Sequence, residues 1–217
     1  MSIGSVSSRP PVKELRGSAE VSPSILRPWF ASGQDPNRFE MSVQGGEVRL
    51  GAKPGTDARD TWAAAMSIAD ARPFRGQRIR MTAEVKTEAS EGGGSAWLRI
   101  DDGRGEELGL DNQQEQGPLK GDSPWSLRTI VLDVPNTAET LNYGSFQMGG
   151  GATSIRNVQF ERVGPDVPTT GAGERSRTEP AAWQATSDFR EAPRTGAPSE
   201  YKAVPVHAAL PPFKLGH

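Results

Sequence analysis

The chain has 217 residues, a formal net charge of −2, 34% hydrophobic residues, 25 glycines, 18 prolines and no cysteine. This length accommodates one β-sandwich with residues to spare, and the low hydrophobic fraction predicts an ordered centre with polar tails. The absence of cysteine excludes disulfides and thiolate zinc sites, and the mixed charges provide none of the basic surface that direct nucleic-acid binding needs.

No apolar run approaches the roughly 20 residues of a membrane-spanning helix. Residues 1–11 are polar and lack the apolar core of a secretory signal. We therefore expect a cytoplasmic protein with no membrane partner, although export by another route would leave no trace in this segment.

The N-terminal part of the chain predicts a flexible arm followed by the first strands. Residues 1–24 hold little to bury, and Trp29 with Phe30 forms the first apolar anchor. Residues 39–43 and 47–50 alternate with period two around a Gly-Gly turn, which predicts a hairpin. Residues 62–68 are interpreted as a strand, although their three consecutive alanines would equally support a helical turn.

The clearest strand is 77–86, where apolar residues alternate with charged and polar ones and so predict one buried and one wet face. The same rule turns Leu98 and Ile100 towards the core. It leaves a tryptophan and two charged residues together on the opposite face of that strand; they are Trp97, Arg99 and Asp101.

Three more strands follow. Between 125 and 134 the apolar positions change phase, which predicts either a β-bulge near Arg128 and Thr129 or a strand buried on both faces. Residues 141–148 predict a strand with Phe146 and Met148 inward. Residues 154–163 predict the last strand, with one slip of phase and four inward residues, Ile155, Val158, Phe160 and Val163.

Residues 164–217 hold eight prolines and no sustained apolar periodicity, so we expect a disordered tail. Two apolar islands stand out in it, 180–185 and 201–215. Such islands can serve as docking motifs for protein partners, although most are inert.

The chain resembles a bacterial family of galactose-binding-like jelly rolls, related in architecture to carbohydrate-binding modules and also found joined to helix-turn-helix regulators of the arabinose-regulator type. The resemblance spans about 29–163 and includes several short motifs. They are Phe-Arg-Gly-Gln-Arg-Ile-Arg at 74–80, Trp-Leu-Arg-Ile-Asp at 97–101, Leu-Asp-Asn at 110–112, Lys-Gly-Asp-Ser-Pro-Trp at 120–125, Val-Leu-Asp-Val-Pro at 131–135 and Val-Gln-Phe-Glu-Arg-Val at 158–163.

The chain departs from the family pattern at Gln113, where a methionine is common, and at 153–155, where an aromatic usually opens the final strand. With the strand pattern, the resemblance predicts an all-β, galactose-binding-like jelly-roll β-sandwich at 25–163, between the arm at 1–24 and a disordered tail at 164–217.

Catalytic chemistry finds little support in the sequence. Both histidines, His207 and His217, lie in the tail, so the predicted sandwich has no Ser-His or Cys-His pair. Carboxylates are plentiful, but such residues at strand ends and turns usually cap turns. We expect no enzyme and no cofactor. One alternative is a structural calcium site using Asp101, Asp102 and Asp111, whose spacing does not match an EF-hand.

The leading hypothesis is a non-enzymatic binding module that meets a saccharide or another polar ligand. Trp97 would be a stacking platform, with Arg99 and Asp101 as hydrogen-bond partners. Three further residues are candidate neighbours on the same surface: Arg80, Tyr143 and Gln147. In the competing interpretation Trp97 is covered, and Arg99 and Asp101 pair with each other. The alternative function is an interaction or scaffold protein whose tails recruit partners.

Overall fold

The structure is a computed structural model, and it describes residues 19–113, 116–170 and 204–205. Eleven strands and two short 3-10 turns, Pro36–Arg38 and Arg72–Phe74, make up its regular structure. The strands are β1 (Ala19–Val21), β2 (Ser24–Gly33), β3 (Phe39–Gln44), β4 (Glu47–Ala52), β5 (Trp62–Asp70), β6 (Gln77–Asp102), β7 (Glu107–Asp111), β8 (Leu119–Val134), β9 (Ala138–Met148), β10 (Ala152–Val163) and β11 (Val204–Pro205).

The strands form two antiparallel layers that share β6. In the first layer, sheet I, the order is β8-β6-β10-β4-β3, and β1 pairs with the second half of β10. In the second layer, sheet II, the order is β7-β6-β9-β5-β2-β11. These all-β layers form a jelly-roll sandwich, as the sequence predicts.

Glycines let β6 pass from one layer to the other. Residues 77–88 pair within sheet I and residues 93–102 pair within sheet II, so the Gly92-Gly93-Gly94 run lies inside the strand. A Cβ atom on Gly94 would come within 1.8 Å of the Thr153 hydroxyl oxygen, and Gly93 has a φ of +110°. The run therefore allows β6 to cross closely over β10.

The core between the layers follows the period-two pattern of β6. Ile79 and Met81 face inward from sheet I, and Leu98 and Ile100 face them from sheet II, all fully buried. The predicted faces of both halves of β6 are confirmed. Residues from other strands also belong to the core, among them Leu50, Ala65, Ile130, Leu132, Leu141, Tyr143, Ile155 and Phe160.

The structure confirms most of the predicted strands, although β8 lacks the bulge that was one explanation of its change of phase. The β3–β4 hairpin has the expected register, and 62–68 lies within β5 rather than in a helix. The slip in the last strand is a register shift between Arg156 and Gln159. The bulge predicted near Arg128 and Thr129 is wrong, because β8 pairs with β6 without interruption there. On the outward face of β8, Val131 is buried whereas Leu127 and Asp133 are exposed, so the strand is buried on both faces only around Val131.

Regular pairing extends beyond the predicted sandwich boundaries of 25–163. Residues 19–21, within the predicted arm, form β1 against β10, and β2 begins at Ser24. On the C-terminal side, Thr170 bonds to Val131 of β8, and Val204 pairs with Ile25 of β2. The rest of the predicted tail, including almost all of both apolar islands, lies outside the described residues. Within 19–113, 116–170 and 204–205, no helix is long and apolar enough to cross a membrane.

Candidate functional site

The candidate site lies on the outer face of sheet II, the face turned away from the sandwich core. Trp97 and Arg99 sit side by side on β6, opposite Gly144 and Asn142 of β9. Asp101 follows in the same row, so Trp97, Arg99 and Asp101 share this face, as predicted. Gly144 leaves room for its neighbours, because a Cβ atom there would come within 1.9 Å of the Ala65 carbonyl oxygen.

An apolar cluster covers most of this face, and we call it the outer-face cluster. It consists of Phe30 from β2, Trp62, Ala64, Met66 and Ile68 from β5, Trp97 from β6, and Phe146 and Met148 from β9. Trp97 is 0% exposed, Met66 2% and Phe146 3%. The inward placement predicted for Phe146 and Met148 is therefore wrong. Leu141 and Tyr143 are the residues of β9 that reach the core, because the phase of β9 is one residue from the predicted one.

Beside this cluster lies a buried polar group, the Asp101 cluster, formed by Arg99, Asp101 and Asn142. The Asp101 Oδ2 atom accepts hydrogen bonds from Arg99 Nη2 at 2.8 Å and from Asn142 Nδ2 at 2.9 Å. Asn142 Nδ2 also donates to Thr140 Oγ1 at 3.2 Å. Asp101 is only 4% exposed, and its second oxygen, Oδ1, has no hydrogen-bond donor within the part of the chain that the structure describes.

Burial dominates the electrostatics of this cluster. Desolvation raises the pKa of Asp101 from 3.8 to about 6, against the opposing effect of the Arg99 guanidinium. The neighbouring carboxylates of Glu107 and Asp102 act in the same direction as burial. Asp101 therefore changes charge within an ordinary range of pH, and its unsatisfied oxygen is one that a hydroxyl or amide group of a ligand would match.

Three predicted neighbours do not lie on this face. Arg80 belongs to the sheet I half of β6, where it pairs with Glu161. Tyr143 lies on the core side of β9, and its ring packs edge-on against Trp29 at 5.6 Å and Phe160 at 5.1 Å. Burial raises the pKa of Tyr143 to about 12. Both placements follow from register, since Arg80 precedes the crossing of β6 and Tyr143 pairs with inward-facing Leu98.

Gln147 also lies between the sheets. Its Oε1 atom accepts hydrogen bonds from Thr153 at 2.7 Å and Ser90 at 3.1 Å, and its Nε2 atom donates to the Met148 and Gly150 carbonyl oxygens. These bonds tie the crossing of β6 to the turn after β9. The side chain is 0% exposed and leaves no hydrogen-bonding group for a ligand on the outer face.

The acidic residues considered as calcium ligands do not come together. Asp101 lies on the outer face of sheet II, whereas Asp111 pairs with inward-facing Leu98 and accepts hydrogen bonds from the Gln113 backbone and the Thr170 hydroxyl. Asp102 caps the turn at 102–106 through two backbone N–H groups. The described ranges contain no group of three or more His, Cys, Asp or Glu residues that could hold a metal ion.

Sequence reasoning missed Asn142. Its signal is the alternation of β9, in which Asn142, Gly144 and Phe146 occupy one face and Leu141 and Tyr143 the other. The sequence alone does not reveal this alternation, because each row of β9 contains an aromatic residue, Phe146 in one and Tyr143 in the other. Only the pairing of Asn142 with Arg99 shows that the row with Tyr143 is the one turned towards the core.

Comparison with known proteins gives one related sequence and a set of similar folds. The chain is 30% identical over 151 residues to an uncharacterized HTH-type transcriptional regulator, YbfP, of Bacillus subtilis, covering 67% of this chain and 51% of the regulator. The chain thus spans about half the length of the curated relative it matches. This match agrees with the resemblance drawn from the sequence. No protein-family model matches the chain.

Similar solved structures include the CBM22-1 xylan-binding domain of Paenibacillus barcinonensis Xyn10C (13% identity, TM-score 0.44, 67% of this chain and 96% of that one). They also include CBM29_1 of Piromyces equi (15%, 0.40, 69% and 95%) and the enzymatically active domain of bacteriophage CBA120 tailspike protein 4 (15%, 0.45, 62% and 19%). These similarities are distant, and the jelly-roll fold is established by the chain's own strands and registers.

Proposed function

We propose that the sandwich is a non-enzymatic binding module that takes a hydroxyl-bearing polar ligand, with a saccharide as the leading candidate, at the Asp101 cluster. The observation that carries the proposal is the buried Oδ1 atom of Asp101, which has no donor among the described residues. An unsatisfied buried acceptor costs roughly 1–3 kcal/mol. A ligand hydroxyl that donates to it would recover that free energy.

The chemistry around Asp101 suits a sugar. A hydroxyl group both donates and accepts hydrogen bonds, and here a carboxylate lies beside the guanidinium of Arg99 and the amide of Asn142. Trp97 lies beyond Arg99 in the same row but is 0% exposed, so the proposal rests on the polar groups around Asp101 and not on stacking against this ring. The carbohydrate-binding modules with similar folds are consistent with this ligand class.

The burial of Trp97 favours a second candidate, a protein-interaction or scaffold module. A fully buried indole offers no open platform, and a covered sheet face is typical of an interface between polypeptide segments. In this function the sandwich presents its tails, and those tails recruit protein partners.

Titration of the full chain with xylohexaose and mannohexaose, followed by calorimetry, tests the leading proposal. We expect binding to at least one of these probes, and we expect Asp101→Asn to abolish it, because the amide replaces the free acceptor with a group of the same shape. The matched control is Asp133→Asn on the outer face of sheet I, where the carboxylate pairs with Arg78. Absence of binding to either sugar, or equal binding by both variants, would overturn the proposal in favour of the interaction module.

A further inference from the structure

The inward-facing row of β8 changes from apolar to charged at Arg128. Ile130, Leu132 and Val134, further along this row, are buried in the core. Arg128 stands opposite Ala83, a buried core residue of β6, so its side chain leaves the strand on the same side as theirs. Arg128 is half-buried, and a guanidinium group at the margin of an apolar core loses water that only a hydrogen-bonding partner replaces.

Arg128 lies at the side of the sandwich where β8, an edge strand of sheet I, contacts β7 of sheet II. At the next residue this side is bridged, because Gln113, which follows β7, donates from Nε2 to the Thr129 carbonyl oxygen at 2.8 Å. The preceding residue, Leu127, is 69% exposed. A ligand from solvent can therefore reach Arg128 beside the Gln113 bridge.

The guanidinium of Arg128 has no partner among the described residues. Its Nε atom is buried without a hydrogen-bond acceptor. Burial lowers the pKa of Arg128, and within the same ranges no carboxylate opposes this effect. Two arginines on the outer face of sheet I behave differently, because hydrogen bonds from Arg78 to Asp133 and from Arg80 to Glu161 raise the pKa of each arginine. Arg128 is thus a partly desolvated cation with donors that remain available to a ligand.

We propose that Arg128 is an anion-binding subsite, which holds a carboxylate or phosphate group of a ligand at the β7–β8 side of the sandwich. The guanidinium presents Nε and one terminal nitrogen as parallel donors, an arrangement that matches two oxygen atoms of either group. Ser126, two positions earlier in the same row, has a hydroxyl that can turn from the Pro124 carbonyl oxygen, 3.1 Å away, to the bound anion. This subsite is separate from the Asp101 cluster on the outer face of sheet II and does not depend on the proposed saccharide function.

Titration of the full chain, labelled with ¹⁵N-arginine, tests the subsite at the level of single side chains. Sodium glucuronate supplies a carboxylate and sodium phosphate a phosphate, in separate series at constant pH. Chloride is adjusted to hold the ionic strength constant, because a change in screening would shift many signals. We expect the Nε–H signal of Arg128, assigned by its absence from Arg128→Lys, to shift saturably in at least one series.

The Nε–H signals of Arg78 and Arg80 are internal controls and should stay nearly unchanged, because these groups already donate to carboxylates. A response of Arg128 to glucuronate alone identifies a carboxylate site, and a response to phosphate alone identifies a phosphate site. Responses to both identify a site for either group. Absence of a saturable Arg128 shift with both anions would overturn the proposal.

Thermal unfolding compares matched variants. An anion that binds the folded state raises the melting temperature above that in chloride of the same ionic strength. We expect this rise in the wild-type chain and in Asp101→Asn. Arg156→Gln, which loses a guanidinium already paired with Glu84, should keep it, whereas Arg128→Gln should lose it. An undiminished rise in Arg128→Gln would also overturn the proposal. Should Arg128→Gln fail to fold, the titration of the wild-type chain decides alone.

Discussion

The two outer faces of this sandwich are built from similar strands and differ in almost every physical respect. On sheet I, Arg80 pairs with Glu161 and Arg156 pairs with Glu84, all partly exposed. On sheet II, the corresponding surface is apolar and buried around Trp97. One face is a solvated charged surface, and the other has the character of a second core.

The tryptophans show the contrast most clearly. Trp125, half-buried on sheet I, lies beneath the Arg156 guanidinium at 4.0 Å and near the Lys86 ammonium at 5.0 Å. Trp97 lies among apolar side chains, beside the paired Arg99 and Asp101. An aromatic residue that shares a strand face with charged residues can thus be a surface residue or an internal one. The burial of the face as a whole decides between the two.

The largest difference between the faces is expected in the stability lost by Trp97→Ala and by Trp125→Ala. Deletion of a fully buried aromatic leaves a cavity and should lower the free energy of unfolding by about 3–5 kcal/mol. Trp125→Ala removes exposed cation–π contacts worth about 0.5–1 kcal/mol each and should cost much less. Urea denaturation of the two variants measures both values, and equal losses would abolish the distinction between the faces.

Met66→Ala and Leu127→Ala form the aliphatic version of the same comparison. Met66 is buried in the outer-face cluster, so its truncation should cost about 2–5 kcal/mol. Leu127 projects into solvent on sheet I, and its truncation should change stability by less than about 0.5 kcal/mol. Thermal unfolding followed by circular dichroism compares them, and a larger shift for Leu127→Ala would mean that the faces are assigned wrongly.

The free energy of unfolding should depend on pH through the protonation of Asp101. Its folded-state pKa, about 6, is above the unfolded value of 3.8, so the folded state binds the proton more tightly. This contribution is fully present below pH 4, falls as the pH rises through 6, and amounts to roughly 1–3 kcal/mol. In Asp101→Asn this pH-dependent contribution should be absent from the unfolding free energies measured between pH 4 and 7. An identical pH profile for the variant would contradict the raised pKa.

The smallest effect is expected on the charged face. Arg80→Ala breaks a partly exposed ion pair with Glu161 and should cost less than about 1 kcal/mol. The cost should shrink further in about 1 M sodium chloride, where the screening length is about 3 Å. A large, salt-independent loss in denaturation experiments would show that the Arg80–Glu161 pair is shielded from solvent.

The sequence predicts those parts of the fold in which one side of a strand is wet. Between 78 and 86 the polar residues alternate strictly, and the structure confirms both the strand and its inward face. The same reasoning puts Trp97, Arg99 and Asp101 on one face correctly, because Leu98 and Ile100 between them are unambiguous core residues.

The errors occur where a strand is buried on both faces. In β9 both rows contain aromatic residues, so parity alone did not reveal that Tyr143 is internal to the sandwich and Phe146 external to it. The phase change in β8 had two physical explanations, and only the pairing with β6 distinguishes them. The role of Gln147 depends on the crossing of β6, which brings Ser90 and Thr153 to it from distant positions.

The outer face of sheet II is shielded from solvent around Trp97, whereas that of sheet I is open around Leu127 and its charged pairs. A soluble gadolinium chelate added to the ¹⁵N-labelled full chain measures this difference, because it attenuates indole signals according to their solvent access. We expect the Trp125 signal to weaken strongly while Trp62 and Trp97 remain nearly unchanged. Attenuation of Trp97 as strong as that of Trp125 would show that the two faces are equally open to solvent.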